Sequence, residues 1–228
     1  MIIADIDPNN FIVDPAKLDE DRHWFDHYDK YYKLFTNFLM PTSIKVDVDL
    51  FHNEIVDYHH LFRQWGYNRP HLPRYGISLL NTDGNIRGKE DYGCAPLDTL
   101  PKELNLSEKD FNVKTEVFTN MNSMRVFDPI EKYLIRSNIL LWHKHASFVP
   151  HIDTAPHMDY NLRLWGNTDP SGYVFDYVGN KCVDVEPGRI YLVDTTKFHT
   201  AIATKDWNYT FFMALHNLIF DSVESILI

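Results

Sequence analysis

Six apolar runs decide the fold: Asn138-Ile-Leu-Leu-Trp-His143, Leu162-Arg-Leu-Trp165, Tyr173-Val-Phe-Asp-Tyr-Val178, Lys181-Cys-Val-Asp-Val185, Arg189-Ile-Tyr-Leu-Val193 and Tyr209-Thr-Phe-Phe-Met-Ala-Leu-His216. Each is short enough for a strand and rich in β-branched or aromatic residues. Turn chemistry separates them. Gly179-Asn180 divides the third run from the fourth, and Pro187-Gly188 opens the fifth. Short strands at this spacing predict an antiparallel sandwich or barrel.

Upstream the texture changes. Asp21 to Phe38 carries Trp24, Phe25, Tyr28, Tyr31, Tyr32 and Phe35 at helical spacing. Asp47 to Trp65 repeats the pattern with Leu50, Phe51, Ile55, Tyr58, Leu61 and Phe62. Arg74 to Leu80 reads as a strand, ended by the turn Asn81-Thr82-Asp83-Gly84. Pro101–Leu104 allows a short helix. Asp128 with Pro129 is expected to cap another that runs to about Ile135. The fold class is therefore mainly β with flanking helices (α+β). A single domain over 1–228 is expected, with 1–136 as helix and loop support and 137–216 as core.

The 44% hydrophobic and 14% aromatic content fits a packed core rather than a disordered chain. A formal charge of −10 argues against nucleic acid or an anionic membrane as the main partner. Cys94 and Cys182 form no metal-binding spacing and suit a reducing compartment. Residues 1–30 mix charged and apolar groups, unlike a signal peptide, and no apolar run is long enough to span a bilayer. A cytoplasmic protein is the expectation. Phosphate loops, Gly-x-Ser-x-Gly elbows and zinc-type cysteine sets are absent from the sequence, which removes nucleotide-binding and serine-hydrolase readings.

One pattern carries chemistry. In a strand, residues i and i+2 share a face, so His151 and Asp153 can converge on one ion. His199 would join them from a neighbouring strand. Two imidazoles and a carboxylate form a facial set that suits Fe(II) and leaves positions open for other ligands. With 12 histidines, about one His-x-Asp pair is expected by chance. The chain holds three. His27/Asp29 lies in a helical segment, where i and i+2 diverge. His157/Asp159 follows Pro156, which disfavours regular pairing. His151/Asp153 follows Ser147-Phe-Val-Pro150, a hairpin-like return, and is preferred.

The stretch Ile139–Asp153, with Asn161-Leu-Arg-Leu164 and Glu186-Pro-Gly-Arg-Ile-Tyr-Leu-Val-Asp-Thr-Thr-Lys-Phe-His199, resembles the 2-oxoglutarate/Fe(II)-dependent oxygenases. Within that superfamily it is most similar to the aspartyl/asparaginyl β-hydroxylase branch. The resemblance covers roughly residues 125–216. It implies a double-stranded β-helix (jelly-roll, cupin-like) core, with Fe(II), 2-oxoglutarate and O₂ as cofactor and cosubstrates. It also implies hydroxylation of a protein side chain or a small amino-acid-like molecule. Many members hold the distant oxoglutarate carboxylate with an arginine about ten residues after the second histidine. Trp207-Asn-Tyr-Thr210 stands there instead. Arg163 is therefore the expected anchor, with Lys205 and Arg189 behind it and Tyr209 or Thr210 adding a hydrogen bond. The alternatives are a jelly-roll binding protein without turnover and a cupin-like metalloenzyme that uses no oxoglutarate.

The remaining residues have plainer readings. His143, His145 and His216 are expected to be ordinary strand or rim histidines. Trp142 and Trp165 are expected to pack the barrel. Arg163 has a structural alternative as the ion-pair partner of Asp153, Asp159 or Asp176. Arg74-Tyr75 and Asp83 are placed to reach over the barrel mouth.

Overall fold

The computed structural model describes residues 33–64, 74–86, 91–94, 100–146, 151, 162–169, 172–176, 181–183, 185–195, 197, 199–203, 205–216 and 223–228, with backbone alone for 172–176 and 181–183. The chain divides into Met1–Leu34 and Phe35–Ile228, and every element below belongs to the second unit. Its strands are β1 (Leu39–Lys45), β2 (Arg63–Gln64), β3 (Arg74–Asn81), β4 (Val113–Lys114), β5 (Leu134–Trp142), β6 (Leu162–Asn167), β7 (Gly172–Asp176), β8 (Lys181–Val183), β9 (Arg189–Val193), β10 (His199–Ala203) and β11 (Asn208–Leu215). Helices α1 (Val48–Ile55) and α2 (Glu116–Asn120) and several 3₁₀ turns complete it.

Among the described residues the strands form two antiparallel sheets. The larger runs β1-β9-β6-β11-β5-β3-β2, with β4 on β3, and the smaller runs β10-β7-β8. From β5 onward the chain alternates between them. After β5, His145 and His151 bond to β10, through His145 N to Ala203 O and a reciprocal His151–His199 pair, each 2.9 Å. β6 returns to the large sheet, β7 and β8 lie in the small one, β9 returns, β10 crosses and β11 returns. That order is a double-stranded β-helix. Each of the six predicted runs overlaps a strand, and Arg189–Val193 matches its strand at both ends.

The large sheet has two different faces. Cross-strand partners share a face, so Ile77, Ile139, Phe211 and Leu164 mark one side and Ser78, Asn138, Phe212 and Trp165 the other. The first side packs under the helices. The Phe51 ring of α1 meets Tyr209 at 5.3 Å and Phe211 at 5.0 Å, and Phe127 meets Phe211 at 6.4 Å. Asp47 accepts a hydrogen bond from Leu50 N and starts α1. The Glu54 carboxylate accepts from the amides of Asn122 and Ser123 and ties α1 to the 3₁₀ stretch Asn122–Tyr133. The second side faces the small sheet, where Ala201 and Ala203 pack on Leu140, Trp142 and Phe212.

Three expectations need correction. The helix predicted over Asp47–Trp65 ends at Ile55; Val56–Leu61 is 3₁₀ and Arg63–Gln64 is a strand. Asp128 caps nothing, because it lies inside the 3₁₀ stretch Asn122–Tyr133, and β5 already begins at Leu134. The helix predicted to Phe38 stops at Leu34 in its described part, and β1 starts at Leu39. The segment Asp21–Tyr32 lies outside the described residues.

Gly188 makes the turn into β9. Its φ is +75°, and a Cβ there would sit 2.3 Å from the Val46 carbonyl oxygen. Both facts demand glycine. Gly188→Ala is expected to destabilise the fold by about 1 kcal/mol or more, measured as a lower thermal midpoint.

Candidate metal centre and barrel interior

His151 and His199 face each other across an isolated antiparallel bridge. Their ring centroids are 4.4 Å apart. His199 Nδ1 lies 2.8 Å from the Lys197 carbonyl oxygen. A carbonyl only accepts, so Nδ1 carries the proton and Nε2 carries the lone pair. The turn that supplies this carbonyl is itself pinned. Lys197 N bonds the Asp194 carbonyl, and Lys197 Nζ lies 3.4 Å from the buried Asp194 carboxylate. The Phe38 ring flanks His199 at 6.1 Å. Among the described residues no third His, Cys, Asp or Glu completes a metal-binding group. The expected carboxylate Asp153 and the competing His157/Asp159 pair lie outside them. The spacing of the two rings and the His199 tautomer fit a shared metal ion.

Arg163 lies on the inner face of β6, fully buried. The side chains of Asp153, Asp159 and Asp176, the three aspartates expected as its structural partner, lie outside the described residues. Glu108 takes that role, at 2.6 Å from Nη2. Glu108 also reaches Arg136 Nη1 at 3.3 Å. Two guanidiniums and one carboxylate are thus buried together. Burial pushes the Arg136 guanidinium below its usual pKa, Glu108 opposes that shift, and Arg163 adds to it. Arg163 Nε and Nη1 have no hydrogen-bond partner among the described residues, so the guanidinium retains capacity for a further acceptor. Beside the cluster, the Ser78 hydroxyl donates to Asp91, and Cys94 contacts Ser78 and Asn138. Burial, with Asp91 nearby, pushes the Cys94 thiol well up, so this cysteine is a neutral core group.

The other expected oxoglutarate contacts are dispersed. Tyr209 points the wrong way: it shares the helix-covered face with Phe211, its hydroxyl is hydrogen-bonded to His59 Nε2, and burial pushes its pKa to about 12. Thr210 faces inward beside Asn167. Lys205 is 64% exposed and sits 3.8 Å from Asp169. Arg189 is held by Glu186 and the Thr42 carbonyl. His143 lies in the turn after β5, near Asp206, as an ordinary surface histidine. Trp142 and Trp165 pack the inner face as expected.

Sequence reasoning missed Glu108. It stands in a polar run, Ser107-Glu-Lys-Asp110, that reads as a solvated turn. Only its distant partners reveal that it is buried.

No protein-family model and no curated protein matches the chain. Solved structures similar to it include a prolyl hydroxylase from Trichoplax adhaerens in complex with a hypoxia inducible factor oxygen degradation domain peptide fragment. That match has a TM-score of 0.47 and 11% identity, covering 92% of this chain and 96% of that one. An oxidoreductase of the 2OG-Fe(II) oxygenase family from Burkholderia pseudomallei matches with a TM-score of 0.45 and 12% identity, covering 84% and 91%. The non-heme alpha ketoglutarate dependent epimerase SnoN from nogalamycin biosynthesis matches with a TM-score of 0.46 and 11% identity, covering 89% and 82%.

Proposed function

We propose that this protein is an Fe(II)- and 2-oxoglutarate-dependent oxygenase that hydroxylates a protein side chain or a small amino-acid-like substrate. The observation that carries the reading is the His151–His199 pair: two imidazoles 4.4 Å apart at one end of a jelly roll, with His199 held in the tautomer that presents Nε2. His151, Asp153 and His199 would hold the iron. Bound iron with oxoglutarate and O₂ supplies the oxidising chemistry, in which decarboxylation to succinate and CO₂ is coupled to hydroxylation of the substrate. The chain's own groups orient the ligands. The Lys197 carbonyl fixes the His199 ring, and the buried interior beside it excludes water.

A second reading, a jelly-roll binding protein without turnover, is favoured by one observation. The inward residues of β11 are Asn208, Thr210, Phe212 and Ala214, with no cation among them.

The test uses anaerobically purified protein with Fe(II), oxoglutarate and ascorbate. Succinate is measured after O₂ is admitted. Oxoglutarate consumption that disappears in His151→Ala is the expected result. Metal binding without any succinate, under conditions where oxoglutarate binds, supports the second reading instead.

A further inference from the structure

We propose that Asp194 is a positioning residue: acting through Lys197, it fixes the tautomer and the direction of the His199 ring. The consequence for metal binding rests on the oxygenase reading above. The fixing of the ring does not.

Asp194 follows β9 directly and leads towards β10, which begins at His199. It holds Lys197 at two points. Its carbonyl accepts from Lys197 N at 3.3 Å, and its carboxylate lies 3.4 Å from Lys197 Nζ. Its own amide donates to the Phe38 carbonyl at 3.0 Å, which ties the turn to the residue that precedes β1. Lys197 is therefore fastened at its amide and at the tip of its side chain. The Lys197 carbonyl accepts from His199 Nδ1 at 2.8 Å. The Phe38 ring lies beside the same imidazole, 6.1 Å away and tilted by 42°. A hydrogen bond at one ring nitrogen decides which nitrogen keeps the lone pair. Whatever aims the Lys197 carbonyl thus decides whether Nε2 is available as a ligand atom.

The burial of the two partners separates a positioning role from a stabilising one. The Asp194 side chain is 2% exposed and that of Lys197 is 39% exposed. An ammonium half in water returns only part of the cost of burying a carboxylate. The pair therefore adds little to the stability of the fold. What it adds is a fixed geometry at the one residue whose carbonyl meets His199. Asparagine at 194 keeps the shape and the backbone carbonyl and releases the Lys197 ammonium. Methionine at 197 keeps the backbone and most of the stem and removes the same charge from the other side. Each change leaves the Lys197 carbonyl aimed by its amide bond alone, so the His199 ring gains access to its second tautomer.

The first readout needs no metal. Metal-free protein carrying isotope-labelled histidine is read by imidazole nitrogen–proton correlation NMR, with His199 assigned by its absence in His199→Ala. The unaltered protein should show His199 as a single tautomer protonated at Nδ1. Asp194→Asn and Lys197→Met should each show a mixture of tautomers, and Lys197→Arg should keep the single one. The second readout is anaerobic calorimetry with Mn(II). Asp194→Asn and Lys197→Met should each weaken binding about 10-fold. The double variant should be no weaker than either alone, because both changes break one interaction. Lys197→Arg should stay within about twofold of the unaltered protein. Lys197→Met alters a half-exposed side chain, so it keeps the test open if Asp194→Asn does not fold. A single Nδ1-protonated tautomer in Lys197→Met overturns the proposal, as does an additive loss of Mn(II) affinity in the double variant. If the unaltered protein binds no Mn(II), the oxygenase reading fails, and the tautomer readout alone decides whether Asp194 fixes the ring.

Discussion

Replacing Glu108 with alanine is expected to destabilise the protein by about 3–5 kcal/mol, the cost of leaving a buried ion-pair network without its counter-charge. Glu108 is 1% exposed and bridges Arg163 and Arg136. Without it, two buried guanidiniums lose the carboxylate that bridges them. Attraction within the intact trio is not itself evidence of large net stabilisation, because desolvation offsets much of it. The asymmetry gives the prediction its size: forming the trio gains little, and breaking it costs much. Urea unfolding measures the effect. Glu108→Ala with Arg163→Met should regain part of the loss, since one uncompensated cation is then removed. A single-mutant cost below about 1 kcal/mol would show that water or another anion reaches the cluster.

The second large effect concerns His199. Outer-shell changes at metal sites cost 10- to 100-fold in affinity, so His199→Ala should weaken Fe(II) or Mn(II) binding by more than about 100-fold. His157→Ala should leave the affinity nearly intact. Calorimetric titration with Mn(II) under anaerobic conditions reads both. Loss of metal in His157→Ala, with affinity retained in His151→Ala, would transfer the site to the competing pair. His199→Ala is not expected to disturb the fold. The ring is partly exposed, and its strand is held by backbone bonds that alanine preserves.

The strands of the C-terminal half were readable because large apolar residues alternate with turn residues. β1 was not, and β10 was expected only as the strand that brings His199, without bounds, for different reasons. β1 contains Pro41, which has no amide to donate and normally argues against a strand. It is tolerated on this strand, which lies at the sheet edge and pairs on one side with β9. β10 reads His199-Thr-Ala-Ile-Ala203, and its small residues are the complement of Trp142 and Phe212 on the opposite sheet. Packing between sheets fixes the sum of the volumes, so the weak hydrophobicity of β10 becomes intelligible only once its partner is known. Helix α1 was readable in position and overread in length, because Tyr58, Leu61 and Phe62 continue an apolar pattern after the backbone has tightened into 3₁₀.

The candidate site divides in the same way. The histidine pair was legible from type and spacing. The inner-face cations were not, because a strand's period says which residues share a face but not what fills the space opposite. Arg163 stood out in the sequence, yet its partner Glu108 lies 55 positions away.

The edge pairing of β1 with β9 also bears on how the chain reaches this state. Thr42 of β1 bonds Ile190 of β9 across 148 residues. The middle of the large sheet is closed by β11, which joins β5 to β6 and is the last of the described strands. Loop closure over such separations comes before the contacts that reward it, which makes folding slow. During synthesis β1 leaves the ribosome with no partner, and β5 and β6 wait for the strand that lies between them. The nascent chain therefore presents open strand edges until β11 has emerged, and its yield in a cell should depend more on chaperone capacity than the stability of the finished barrel suggests.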